Sequence, residues 1–347
     1  MSDAPTIPAA TLDAVRGAAG EGWPKEAFRL LGESGVLGWP IPEGYGGCGV
    51  GDMTAAYVDL ADADLTACFV LTQQNSAVGR LAAGDSEAAK DRWLPEIAAG
   101  RVFATVGISH LSTSRQHAAE PPVKLQPDGA GFVLDGTVPW STSAARADVI
   151  VVGAASGDGR QVLVAVPGDA EGVSPGGAMP LLALGGSSTG VVELNSVRVG
   201  RDDIIAGPAE AVMTSGSSGG TGSLTTSALA VGVCQRAVRL LGEESAGRPD
   251  VGASYEALRD EFETLKTDLL STAGGAAGHT AEALRTRANS LALRSTQALM
   301  TASKGAGFVV GHPAERSVRE AMFFLVWSCP KTVAAAAMNE FSCSLAG

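Results

Sequence analysis

The sequence predicts an α+β chain in which a helical region, a β-region and a second helical region follow one another. Three observations carry this. Apolar residues recur at helical spacing from Ala10 to about Gly100. From Val102 to about Val199 they alternate in short runs bounded by turn residues, and from Glu210 onward the helical period returns. The expected units are residues 1–102, 103–205 and 206–347. A chain of 347 residues, 45% apolar and 18% charged, is long enough and apolar enough to bury a large core in two or three packed units.

In the first region, Ala27, Leu30, Leu31, Val36 and Leu37 make one helical stripe. Met53, Ala56, Tyr57, Leu60 and Ala61 make another, with Asp52 as the expected N-cap. Between them IPEGYGGCGVG (Ile41–Gly51) is a Pro/Gly punctuation that no helix crosses. A further helix is expected over Glu87–Ala99, stopped by Gly100. The strands FATVGIS, GFVLDGTVPW, ADVIVVGAA, QVLVAVP and GVVELNSVRV follow, with turns at Asp128-Gly129 and Gly157-Asp158-Gly159. Short strands at this spacing predict a barrel or sandwich. Helices are then expected over Leu224–Leu241, Tyr255–Leu270, Thr280–Ala302 and Glu315–Leu325.

The net charge of −12, with no Lys/Arg-dense face, opposes nucleic-acid binding. No run of 18 apolar residues is present, and the Met1-Ser-Asp-Ala-Pro start has neither a basic nor an apolar leader region, so neither membrane insertion nor export is expected. Five scattered cysteines without a CxxC pair fit reduced thiols in a cytoplasmic protein. Four histidines, none at ligand spacing with another ligand, predict no metal site.

Three blocks carry a resemblance. LGGSSTGVVELNSVRVGRDDIIAG (Leu184–Gly207) joins a Gly-rich turn, an alternating strand and an acidic pair. LGESGVLGWPIPEGYGGCGV (Leu31–Val50) and GAGFVVGHPAERSVREAMFF (Gly305–Phe324) flank it in order. Together they resemble the acyl-CoA dehydrogenase superfamily over nearly the whole chain. The resemblance implies an N-terminal helical domain, a middle β-barrel or sandwich domain and a C-terminal four-helix bundle. It also implies FAD and an acyl thioester, from which a base takes the α-proton while hydride passes to the flavin.

The implied flavin contacts are Ile108 and Ser109 in VGISHLSTSRQ, and Trp140 and Thr142 in the Trp140-Ser141-Thr142 match to the family's WxT. Gly305 and Gly307 match the turn that reaches a neighbouring subunit's FAD, although Thr301 and Lys304 replace its Gln and a Gly. The family's arginine-containing RxxFG segment, which also serves the partner's FAD, is not recognisable around Gly247–Tyr255, where Arg248 is the nearest candidate. In the thioester segment Ser114 replaces a glycine, and Arg115 replaces a serine as a possible phosphate or carboxylate partner.

The base departs from the pattern. Counting from Arg319-Glu320-Ala321, the family glutamate falls on Ser328, a substrate-side position here, followed by Cys329 and Pro330. A minority of members place the carboxylate after the middle domain, where this chain reads Gly219-Gly220-Thr221-Gly222-Ser223. The remaining candidates for proton chemistry are His110, beside Ser109 and with a useful pKa, against a structural role, and Cys329, against a buried and inert one; a core role competes with a pocket-reshaping one for Trp327. The expected function is therefore a divergent flavin-dependent oxidoreductase on an acyl-CoA or carrier-bound acyl group. A flavin monooxygenase of the same fold and a non-catalytic base-less subunit are the alternatives. The resemblance further implies a homodimer or homotetramer, or a hetero-oligomer with a base-bearing paralogue.

Overall fold

The computed structural model describes residues 5–112, 121–129, 131–214 and 223–342. The helices α1 (Ala9–Ala18), α2 (Lys25–Glu33), α3 (Thr54–Ala63), α4 (Leu65–Ala83) and α5 (Glu87–Ala98) come first. β1 (Ala104–Gly107) leads through the single turn α6 (Ser109–Ser112) to β2 (Val123–Asp128), β3 (Gly131–Ser141), β4 (Val149–Ala155) and β5 (Gln161–Pro167). β6 (Val173–Pro175), β7 (Gly190–Val199) and β8 (Ile204–Ala209) complete the strands. The helices α7 (Leu224–Ser245), α8 (Pro249–Ala273), α9 (Ala281–Gly307), α10 (Pro313–Met322) and α11 (Lys331–Ser342) end the chain.

Local chemistry sets several boundaries. Asp52 Oδ1 accepts from the Thr54 backbone N–H at 2.9 Å, but Met53 occupies the cap position, one residue later than expected. Asp64 caps α4 by accepting from the Thr66 and Ala67 N–H groups. Gly100, at φ +67°, ends α5 in the left-handed conformation that favours glycine. In the Pro/Gly segment after α2, a Cβ on Gly47 would lie 2.0 Å from the Ile41 carbonyl oxygen. Gly47→Ala is accordingly expected to cost about 1–3 kcal/mol, the range for overpacking, read as a lower urea midpoint at unchanged slope.

Eight strands among the described residues form one mixed sheet in the order β6-β7-β3-β2-β4-β5-β8, with β1 parallel to β4. β4 is buried on both faces, which explains its continuous apolar sequence. Val149 and Val151 pack with Val78, Leu81, Leu94 and Ile97 of α4 and α5. Ile150 and Val152 pack with Leu134, Val138, Val164 and Val192, a cluster to which none of the described α-helices contributes. The sheet thus curls over its own core, while α4 and α5 cover its other face. α3, α4, α7, α8 and α9 share a further core through Val58, Leu65, Leu229, Leu265 and Leu291. Among the described residues, no helix is long and apolar enough to cross a membrane.

Candidate functional site

The end of β3 presents Trp140 to solvent at 51% exposure, unusual for an indole amid a well-buried sheet. Side chains hold β1, α6 and this strand end together. Ser141 Oγ donates to the Val106 carbonyl at 3.1 Å, and Thr105 Oγ1 donates to the Thr142 carbonyl at 2.7 Å. Ser109 Oγ reaches the Trp140 carbonyl at 3.5 Å, the long limit for a hydrogen bond. Ser109, Trp140 and Thr142 are therefore gathered in one place, with Ile108 packed into the core directly beneath.

Thr142 is itself buried, and its hydroxyl meets that of Thr189 at 3.1 Å. Thr189 in turn meets Ser187 Oγ at 2.8 Å. Ser143 Oγ donates to the Ser187 carbonyl at 2.8 Å and accepts from Trp23 Nε1–H at 2.9 Å. This hydroxyl ladder joins β3 to the Gly-rich turn before β7. Ser143, Leu184 and Ser188 all take positive φ there, a concentration of backbone strain of the kind found at functional sites. Sequence reasoning found the Gly-rich turn that holds Ser187 and Thr189 but missed Trp23 and Ser143 as its partners.

His110 is 1% exposed. A carbonyl only accepts, so its 2.7 Å contact with the Gly153 oxygen makes Nε2 the protonated nitrogen. Burial lowers its pKa against the opposing effect of that bond. The imidazole is thus neutral and fastens α6 to β4. A Cβ on Gly153 would strike Leu111 Cδ1 at 2.5 Å, so glycine is what lets α6 sit this close.

After α10, Trp327 stacks on Phe323 with ring centroids 4.9 Å apart and meets Phe69 edge-on at 5.0 Å. It is a packing residue. Ser328 follows at φ +45°. The fully buried Arg285 donates from Nη2 to the carbonyls of Phe324 and Trp327, and Asn289 donates to Phe324 as well. These bonds satisfy carbonyls left open where the helix ends and fix the backbone leading to Ser328. Burial pushes the Arg285 guanidinium down to about 10. Burial likewise raises the Cys329 thiol, so it is not an activated nucleophile.

At the far end of α9, Lys304 breaks the helix with φ 52°. Gly305 lies in open space, whereas a Cβ on Gly307 would come within 2.8 Å of Ser303 Cβ. Phe308, Val309 and Val310 follow with exposures of 81%, 62% and 85%. Arg248 Nη1 donates to the Ala302 carbonyl at 2.8 Å and to Glu244 at 3.1 Å. Arg248 and the glycine turn, read separately in the sequence, are therefore neighbours, beside a cavity of about 480 Å³ that includes Arg248 and Ser303. Arg115 and residues 219–222 lie outside the described residues.

Known proteins resemble this chain in sequence and in fold. The profile of the "Acyl-CoA dehydrogenase, N-terminal domain" matches residues 9–101. "Probable acyl-CoA dehydrogenase YngJ" of Bacillus subtilis (strain 168) is 28% identical over 226 residues, 62% of this chain and 59% of the relative. The match thus spans less than two thirds of that relative's length. The glutaryl-coenzyme A dehydrogenase glutaryl-CoA complex has the same fold, with a TM-score of 0.82 at 18% identity, covering 96% of this chain and 93% of that one. Dibenzothiophene monooxygenase (TdsC) from Paenibacillus sp. A11-2 has it too, with a TM-score of 0.76 at 20% identity and coverage of 95% and 92%.

Proposed function

We propose that this chain, which belongs to the acyl-CoA dehydrogenase superfamily, is a flavin-dependent oxidoreductase holding FAD against the Trp140 end of the sheet. The observation that carries this is the exposed Trp140 indole at the one place where Ser109 and Thr142 also converge. An exposed aromatic face beside hydroxyls suits a planar, polar-edged ring. Bound there, flavin supplies the two-electron acceptor. Trp140 would cover one face of such a ring and Ser109 would offer a hydroxyl to its edge, while the Thr142–Thr189–Ser187 ladder holds the strand end that places them. Arg248, Gly305 and Gly307 form a second, separate element, and we assign it to the FAD of a neighbouring copy in a homodimer or homotetramer. The exposed Phe308–Val310 run supports that assembly.

The substrate on this reading is an acyl thioester, free as acyl-CoA or on a carrier. A second reading, flavin monooxygenation on the same fold, is favoured by one observation: Ser328 supplies no carboxylate, and its approach is fastened by Arg285 and Trp327. His110, pinned to Gly153, serves on this account to position Ser109 rather than to move a proton. Free thiols at Cys48, Cys68, Cys234 and Cys329 suit a cytoplasmic setting.

Trp140→Ala tests the assignment. Loss of a stacked indole is expected to weaken FAD retention about tenfold or more, since aromatic contacts contribute about 0.5–1.5 kcal/mol beyond their buried area. Equilibrium dialysis against FAD reads this directly. Equal retention by Trp140→Ala and the wild type would place the flavin elsewhere.

A further inference from the structure

Arg80, near the end of α4, is 5% exposed, and its Nε and Nη1 are buried without a hydrogen-bond partner. Burial alone acts on its guanidinium, pushing the pKa down with no anion to oppose it. Other buried guanidiniums are better accommodated: Arg236 lies on Glu320, and Arg285, although its Nε and Nη1 are also unpartnered, donates from Nη2 to two carbonyls. A buried cation left unpaired is costly and calls for a counter-charge.

Arg80 is among the residues lining a cavity of about 360 Å³, with Gly84, Asp85, Leu163, Ile205 and Gly207. Its walls are backbone held in fixed contact. The Asp85 N–H donates to the Ile205 carbonyl at 2.9 Å, stitching the α4–α5 turn to β8. A Cβ on Gly84 would lie 2.7 Å from that carbonyl oxygen, and one on Gly207 would lie 2.3 Å from the Gln161 oxygen. These contacts keep the cavity from being an accident of loose packing. It also lies at a different strand of the sheet from Trp140. In the sheet order, β2, β4 and β5 stand between β3 and β8, so the two sites are separated by four strand spacings, about 19 Å along the sheet.

We propose that this cavity is a binding site for a small oxyanion, a carboxylate or a phosphate, with the Arg80 guanidinium as its charged partner. A planar guanidinium donates to both kinds of oxyanion. The remaining wall, Leu163, Ile205 and backbone, limits the ligand to a compact anion. Asp85, exposed at the mouth, is the only carboxylate lining the cavity among the described residues. Its pairing with Arg80 by a side-chain swing is the rival outcome.

The test is thermal melting of the purified full chain in inorganic phosphate, acetate or succinate, each against chloride at matched ionic strength. A saturable rise in melting temperature of about 2 °C or more is expected for the wild type with phosphate or with a carboxylate. The arm that saturates identifies the oxyanion. Arg80→Met is expected to melt no lower than wild type in chloride and to show no such rise. Arg80→Lys, which keeps the charge and guards against misfolding of the methionine variant, should respond at higher anion concentration. Wild type that responds to no anion, or Arg80→Met that responds as wild type does, would overturn the proposal. So would an Asp85→Asn variant that melts lower in chloride while the wild type ignores every anion.

Discussion

Glu320→Ala is expected to destabilise the chain by about 3–5 kcal/mol, the cost of leaving a buried charge without its partner. Glu320 sits on α10 with its side chain buried, and both carboxylate oxygens are engaged. Arg316 Nε donates to one at 2.7 Å, and Arg236 Nη2 donates to the other. Arg236 Nε also donates to Ser317 Oγ, while Arg316 Nη2 donates to Asp64 Oδ1 at 2.9 Å. One network therefore ties α4, α7 and α10. Removing the glutamate strands the buried Arg236 guanidinium and leaves Arg316 with Asp64 alone.

The same network fixes the pH dependence. Burial would raise the Glu320 carboxyl, but Arg236 and Arg316 outweigh it and hold its pKa below the ordinary value of 4.5. A depressed carboxylate contributes stability above its unfolded pKa and loses it as pH falls through the folded one. Wild type and Glu320→Gln should therefore differ most near neutral pH and converge below pH 4.5. Asp64, pushed up by burial against the pull of Arg316, titrates in the opposite sense. Glu320 is one of the charges that raise Asp64, so Glu320→Gln also relieves Asp64, and the difference between the two proteins reports the pair. Urea melts at several pH values check this; a constant gap down to acid pH would show that Glu320 contributes through packing alone.

The second large effect is catalytic. Butyryl-, octanoyl- and palmitoyl-CoA are expected to reduce bound flavin slowly or not at all. A positioned general base contributes about 10²–10⁴-fold, roughly 3–5 kcal/mol of barrier, and Ser328 offers none. Ser328→Glu is expected to recover less than about tenfold, well short of that range. Residue 328 holds φ +45°, a conformation that resists a larger side chain. Arg285, bonded to the adjacent Trp327 carbonyl, has Nε and Nη1 unpartnered and ready to capture a new carboxylate. Pairing with a cation would lower that carboxylate's pKa and weaken it as a base. Anaerobic mixing with each acyl-CoA, following the visible flavin band, decides the matter. Rapid bleaching of the wild type would mean that another group serves as base.

Much of the fold is legible because its elements are periodic. The curled sheet announces itself in β4, where burial on both faces demands an unbroken apolar run. Three strands are not legible. VKLQPD of β2 has only two buried positions and contains Pro127, and IIAGPA of β8 reads as a turn because an edge strand tolerates Gly and Pro. β6 is only three residues long. α4 is buried against both the helical core and the sheet, so it shows no amphipathic stripe. α8 begins at Pro249 rather than Tyr255 because proline, an apparent breaker, suits a first helical turn. At the site, local motifs bring out Ser109, Trp140 and Thr142. The ladder partners are another matter, since Trp23 and Ser143 meet across 120 residues of sequence. Arg80 is equally silent, because an arginine near a helix end reads as a solvated charge until its burial is seen.

The flavin content of the chain tests the central claim most directly. Purified protein reconstituted with excess FAD and then dialysed should keep stoichiometric flavin, with the visible absorption bands of a bound isoalloxazine and quenched flavin fluorescence from contact with Trp140. Protein that emerges colourless, with all FAD lost to the dialysate at micromolar concentration, would contradict the account.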